Sequence, residues 1–345
     1  MMTIGLDVHK ARTTAALLNE DSNELLGPFT TDTAQVEQFV RQIPPPVRVV
    51  MEAGPQSFIL ARALMSCKIE VAVVSCDKAK LALKLLHTAK TDRLDAKGLA
   101  LAYAYGWLEH ARVWVADEST WQLRGLVRAR RRLVRNSVGL QNQIHGFLLW
   151  VGERCPTKSV TTLKAAAWMD ELEGRLPEPL ALALGGLRGS LAQVCEQIAR
   201  LEEPIAKLAG QVPECRRLQT VPGIGPILSA TILAEVGDFA RFDRAEQLVS
   251  YCGLDPKTEE SGESSREGER EQKGSSWLRW AMVEAAQHFV NSGQTDELTL
   301  KKFYQHLAFR KCPNKAKVAL ARRLVHLIFA MLRHETDFDP ERLAA

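Results

Sequence analysis

The sequence predicts an α/β unit built on a mixed sheet, followed by a chain that is helical almost throughout. Three observations predict this: hairpin-linked strand segments open the chain, helix and strand then alternate to about residue 75, and the periodicity turns purely helical beyond residue 115. With 345 residues, 46% of them hydrophobic, the chain buries a real core and divides into two or three units. The expected divisions are 1–115, 116–210 and 211–345.

Residues 3–9 (TIGLDVH) alternate apolar with small or polar positions, as a half-buried strand does. After Lys10 the run TTAALLN repeats that composition, the polar stretch Asn19 to Asn23 supplies a turn, and a third strand follows near 24–30. Val36, Phe39, Val40 and Ile43 give 34–43 a helical spacing, which Pro44, Pro45 and Pro46 end. Val47 to Met51 reads as a buried strand closing on Glu52, 56–66 as a helix and 69–75 (IEVAVVS) as another buried strand. Farther on, Leu126, Leu133, Leu140 and Phe147 recur every seven residues, and Leu187, Leu191, Val194, Ile198, Leu201, Ile205 and Leu208 follow a four-three spacing. Both rows read as coiled-coil seams, with a kink or a helix start at Pro204. Oligomers, dimeric or tetrameric, are the expected consequence. Residues 150–186 form a connector, and the last third is helical apart from a polar loop from Asp255 to Ser276.

A net charge of +4 excludes nothing by itself, so the distribution of charge matters more. No run of eighteen uncharged apolar residues occurs and no signal pattern opens the chain, which predicts a soluble protein of the cytoplasm with no membrane partner. Seven scattered cysteines without a CxxC pair read as reduced, mostly buried thiols, not as a disulfide framework or zinc site.

Asp7 and Glu52 each end an apolar strand, where a side chain emerges at the rim of a sheet, and Asp92 and Asp95 share one face where a helix opens. Four such acids, met at one sheet edge, outline a two-metal site. Hard oxygen ligands suit magnesium or manganese, and two ions about 4 Å apart stabilise the attacking and leaving oxygens of phosphoryl transfer. Each acid alone also reads as a solvated cap or helix face; the four in strand order carry the argument.

GLDVHK at 5–10, VMEA at 50–53 and KTDRLDAKGLA at 90–100 resemble the three acidic blocks of the insertion-sequence-110 transposases, the Piv-like or DEDD recombinases. Their N-terminal domain is similar to RuvC Holliday-junction resolvases, so the resemblance implies a ribonuclease H-like fold. It implies metal binding by Asp7, Glu52, Asp92 and Asp95. The family also works with a structured RNA, so a guide RNA joins DNA among the implied partners.

From Ser119 to Gly152 there is no Asp or Glu, while Arg124, Arg128, Arg131 and Arg135 fall on one stripe of a single helix. That stripe can track a phosphate backbone; the alternative is a solvated face, which normally mixes signs. Thr220 to Pro226 (TVPGIGP), followed by ILSATILAEVG, looks like a helix-hairpin-helix. Gly223 and Gly225 allow the tight turn, and amides opening the second helix meet a phosphate; a plain hairpin between packed helices is the rival. Tyr251 to Pro256 resembles the family's Gly-Leu-x-Pro block. The resemblance then places a nucleophilic serine in the following loop, where Ser261-Gly262 fits best and Lys273-Gly274 keeps the frame as a nucleic-acid contact. Ser264 and Ser265 are rivals, and the loop departs from the family in carrying seven acids against four bases. No His within it activates a hydroxyl, so the loop is expected to fold over a metal site, its own or a neighbouring subunit's. The basic tail, Lys301 to Arg323, is a DNA contact or a solvated face.

The reading is a divalent-metal-dependent DNA transposase. Its rivals are a RuvC-like junction resolvase that uses water and forms no protein–DNA bond, and a non-catalytic DNA- or RNA-binding protein.

Overall fold

A computed structural model of the chain places β1 (Met2–Val8), β2 (Arg12–Asn19) and β3 (Glu24–Asp32) as consecutive antiparallel strands. The structure describes residues 1–86, 92–255, 259–261, 264–266, 274–295 and 299–340, with the backbone alone at 92–93, 259–261, 264–266 and 294. The turn between β2 and β3 has a local cause: the Asn19 side-chain oxygen accepts the Asp21 and Ser22 amides at 3.0 and 3.4 Å. A 3-10 turn at Thr33–Gln35 leads into α1 (Val36–Arg41), shorter than the periodicity predicts and over before the prolines. Then come β4 (Val47–Glu52), α2 (Pro55–Ser66), β5 (Glu70–Val74), α3 (Cys76–Leu86) and α4 (Asp92–Ala104).

The sheet order is β3-β2-β1-β4-β5, with β4 parallel to both β1 and β5. Alternation sends Ile4, Leu6, Val49 and Met51 to one face, where α1 and α2 cover them. Val50, Ala72 and Val74 face the other way, under α3 and α4. Gly5 lies on this second face, and a Cβ there would stand 2.1 Å from the Ala96 carbonyl oxygen. The missing side chain therefore lets α4 lie directly on the central strand.

The chain divides into two units, Met1–Ser119 and Thr120–Ala345. Within the second unit, side chains from both sides of residue 210 share one core, Ile205 and Ala209 packing with Cys215, Ala230 and Ala234.

The second unit contains α5 (Glu118–Trp150, whose first two residues belong to the first unit), α6 (Leu163–Glu173), α7 (Glu178–Gln211), α8 (Pro213–Leu218), α9 (Pro226–Val236) and α10 (Ala245–Tyr251). Two short strands, β6 (Glu259–Ser261) and β7 (Ser264–Arg266), form a hairpin in the expected loop, followed by α11 (Ser276–Asn291), α12 (Thr299–Arg310) and α13 (Pro313–Arg333). Ile144 and Leu148 of α5 pack with Leu184 and Leu191 of α7, while Leu123 and Val127 pack with Ile205 and Ala209. The two long helices thus run antiparallel. On α5 the fully buried row is Leu123, Val127, Ser137, Ile144 and Leu148, so the expected Leu126-Leu133-Leu140-Phe147 row is displaced to a half-buried flank. The apolar stripe is wider than one seam, and the helix turns its neighbouring row inward. On α7 Leu191 and Ile205 are buried as expected, but Ala209 takes the inward place of Leu208, and the helix continues through Pro204. Only Cys215 and Cys252 are buried among the seven free cysteines, fewer than expected. Among the described residues no helix is long and apolar enough to cross a membrane.

Candidate metal centre and nucleic-acid surfaces

Asp7 is the penultimate residue of β1 and Glu52 the last of β4. Leu6 pairs with Met51 in parallel register, and one further step sets Asp7 beside Glu52. Residues paired in this way point to the same face, and for Asp7 it is the face of Gly5, against which α4 lies. The first turn of α4 carries Asp92 and Asp95. Its far end, with Tyr103, meets Arg48 at the opposite end of the strands, the guanidinium 5.0 Å from the ring centre. The helix therefore runs against the strands and brings its acidic start to their carboxyl ends.

Electrostatics give the same arrangement. The Glu52 carboxyl is pushed above its ordinary range, first by burial and then by the charge of Asp7, with Asp95 adding to the rise. The neighbouring Cys76 thiol and the Lys80 ammonium act in the opposite direction. Glu52 thus feels the charges of both Asp7 and Asp95 at a half-buried edge, and carboxylate oxygens are the ligand type that hard divalent cations take. Among the described residues no three acidic, His or Cys side chains stand close enough to hold an ion together. The Asp92 side chain lies outside the described residues. His9 sits beside the group, its Nε2 3.2 Å from Asp7 Oδ2.

Cys76 and Lys80, both on α3, were not expected at this site. The signal was in the sequence: Ala79, Ala82, Leu83 and Leu86 follow helical spacing directly after β5. Cys76 Sγ also donates to the Ala53 carbonyl at 3.0 Å, tying the start of α3 to the residue after Glu52.

In the second unit most of the arginine stripe meets protein. Arg124 donates to the Ala234 carbonyl at 2.8 Å, and burial lowers its pKa against the pull of Glu235. Arg128 forms a two-pronged pair with Glu235 at 2.7 and 2.8 Å, and that hydrogen bonding raises its pKa. Arg131 lies over Trp277 and Trp280, 4.8 and 4.3 Å from the ring centres. These three side chains dock α5 on α9 and α11, which is why an acid-free helix face is stable here. Arg135, next on the stripe, is exposed. Sequence reasoning missed Glu235, although a lone acid within the apolar run of α9 is itself a sign of buried pairing.

The turn between α8 and α9 has Gly223 at φ +88°, where a Cβ would stand 2.5 Å from the Phe289 amide nitrogen. Gly223 thus serves close packing on α11. Gly225 caps the start of α9 with open space around it. A groove of about 1070 Å³ runs along this turn, lined also by Arg130, Arg135, Trp280 and His288. In the serine loop, Ser261 and Ser264 are cross-strand partners at the turn of the β6–β7 hairpin. The side chains of Ser261, Ser264 and Ser265, and all of Lys273, lie outside the described residues.

A transposase family of the DEDD IS110 type matches residues 4–151. The family described as transposase IS116/IS110/IS902 matches residues 215–305. A protein of Pseudomonas aeruginosa named "Probable family 20 transposase" is 29% identical, over 89% of this chain and 90% of its own length. The transposase for insertion sequence element IS1111A of Coxiella burnetii is 28% identical, over 84% of this chain and 78% of its own. That for IS1328 of Yersinia enterocolitica is 25% identical, over 88% and 89% respectively.

Proposed function

Because the chain belongs to the IS116/IS110/IS902 family of transposases, we propose that it cuts and rejoins DNA strands through carboxylate-held divalent ions and a serine nucleophile. The observation that carries the first part is the meeting of Asp7, Glu52 and the start of α4 at one sheet edge, with Glu52 feeling both neighbouring charges. Asp7, Glu52, Asp92 and Asp95 hold the metal. Bound magnesium or manganese ions supply charge neutralisation at the oxygens of the scissile phosphate. His9 and Lys80 border the acids, His9 bonding Asp7 and the Lys80 charge acting on Glu52, and would help hold them in place.

Ser261 is the nucleophile in this reading, with Ser264 facing it across the hairpin as the nearest substitute. Its hydroxyl oxygen attacks phosphorus, a phosphoserine ester forms, and the P–O bond to a sugar oxygen breaks. The released sugar hydroxyl takes up a proton in place of the one the serine loses. Reversal with a second strand's hydroxyl rejoins DNA without a net loss of ester bonds. Arg135, the open amides near Gly225 and Lys273 contact nucleic acid, either DNA or a guide RNA transcribed beside the element. The protein acts as an oligomer, through apolar positions of the long helices that the chain leaves uncovered, Val138, Leu182 and Leu208 among them.

Incubation with the element's own DNA ends, the adjacent transcript and magnesium tests the proposal. A covalent protein–DNA adduct that maps to Ser261, and that disappears in Asp7→Asn and Ser261→Ala, is expected. Cleavage by water with no adduct would leave a resolvase-like nuclease instead.

A further inference from the structure

In the chain, the loop that carries Ser261 is flanked by two described segments, Tyr251–Asp255 before it and Gly274–Ser275 after it. The two are joined at the base. The Ser275 amide donates to the Tyr251 carbonyl at 2.8 Å. Gly274, at φ +92°, fits where a Cβ would stand 2.7 Å from the Gly253 nitrogen and the Tyr251 carbonyl oxygen. Arg279 and Arg322 donate to the carbonyls of Cys252 and Leu254 at 3.4 and 3.0 Å.

Both segments also converge on one residue of α9. Glu235 is 1% exposed. Its carboxylate accepts the Arg128 guanidinium on both oxygens and the Ser275 hydroxyl at 3.4 Å, while its backbone carbonyl accepts the Tyr251 hydroxyl at 3.3 Å. Ser275 in turn caps α11, its Oγ accepting the Leu278 amide at 3.2 Å. A buried residue whose carboxylate holds one foot of a loop and whose backbone carbonyl holds the other fixes the separation and direction of those feet. A carboxylate held by two guanidinium donors cannot swing, so the hydroxyl it accepts is held as well.

We propose that Glu235 and Arg128 are positioning residues for the serine loop: the pair fixes the two segments that flank the loop, Tyr251–Asp255 and Gly274–Ser275, and thereby the reach of Ser261. This rests on the serine reading given above. It assigns the middle of the arginine stripe to aiming the nucleophile, with α5 as the rigid support. Displacing a reacting group by about 1 Å costs on the order of 10²-fold in rate without a comparable loss of binding.

The test uses the full-length protein as Glu235→Gln, Arg128→Lys and Ser275→Ala, assayed well below each variant's Tm. The last keeps the ion pair and removes only the hydroxyl, so the test survives if the pair variants fail to fold. Hydrogen exchange at the Leu254 and Ser275 amides should quicken in each variant while the α13 amides keep their protection. With DNA from the element's ends, the rate of serine adduct formation should fall by about 10²-fold in Glu235→Gln, with KM for DNA within about twofold of wild type. Unchanged exchange at the two feet in all three variants, or an undiminished adduct rate in folded Glu235→Gln, overturns the proposal. A wild-type chain that gives no serine adduct overturns the nucleophile assignment instead, and amide exchange alone then decides the positioning role.

Discussion

Glu52 is held above its ordinary carboxyl pKa of 4.5 by burial and by the charges of Asp7 and Asp95, so its ionised form burdens the fold. For a carboxyl whose folded pKa lies above its unfolded one, the stabilising protonated state is fully present below the unfolded value. That stability is lost as pH rises through the folded value. Glu52→Gln should therefore raise Tm at pH 7 more than at pH 4, while abolishing magnesium-dependent cleavage. Thermal denaturation at the two pH values checks this, and equal shifts would contradict the repulsion. In the other unit, Arg128→Ala would strand a buried carboxylate and cost about 3 kcal/mol, read from the urea midpoint. Arg135→Ala, at an exposed position, should change stability by less than about 0.5 kcal/mol and lower the salt slope of nucleic-acid binding by about one.

At the scale of elements, the proposed cation site depends on how α4 lies on β1. Gly5→Ala would put a Cβ 2.1 Å from the Ala96 carbonyl and 2.7 Å from the Ala100 nitrogen. Both atoms are helix backbone and cannot rotate away, so α4 must lift, at a cost of about 1–3 kcal/mol or more. Asp95 moves with the helix. Cleavage should consequently fall further in Gly5→Ala than in a core variant of equal stability such as Val49→Ala. Matched urea titrations and cleavage rates check the comparison, and equal losses would mean that the acids tolerate the displacement. Strand ends place Asp7 and Glu52, whereas the contact of a glycine with a helix places Asp95.

Across the whole molecule, what the sequence makes legible follows from how local each signal is. The strands of the first unit are readable because alternation and turn chemistry are properties of adjacent residues, as at Asn19. The acids are readable as strand ends and a helix start. The protein partners of Arg124, Arg128 and Arg131 are not, because an acid-free helix looks the same whether it faces a phosphate or a buried glutamate 107 residues away. Nor is the choice between two apolar rows on α5, which depends on the antiparallel approach of α7 and not on spacing within α5. Metal-dependent strand cleavage by this chain requires that the four acids form one cation site. Calorimetric titration of manganese into the full-length protein tests it most directly. Binding should weaken by about tenfold or more in each of Asp7→Asn, Glu52→Gln, Asp92→Asn and Asp95→Asn. Wild-type affinity in any of the four would contradict the account.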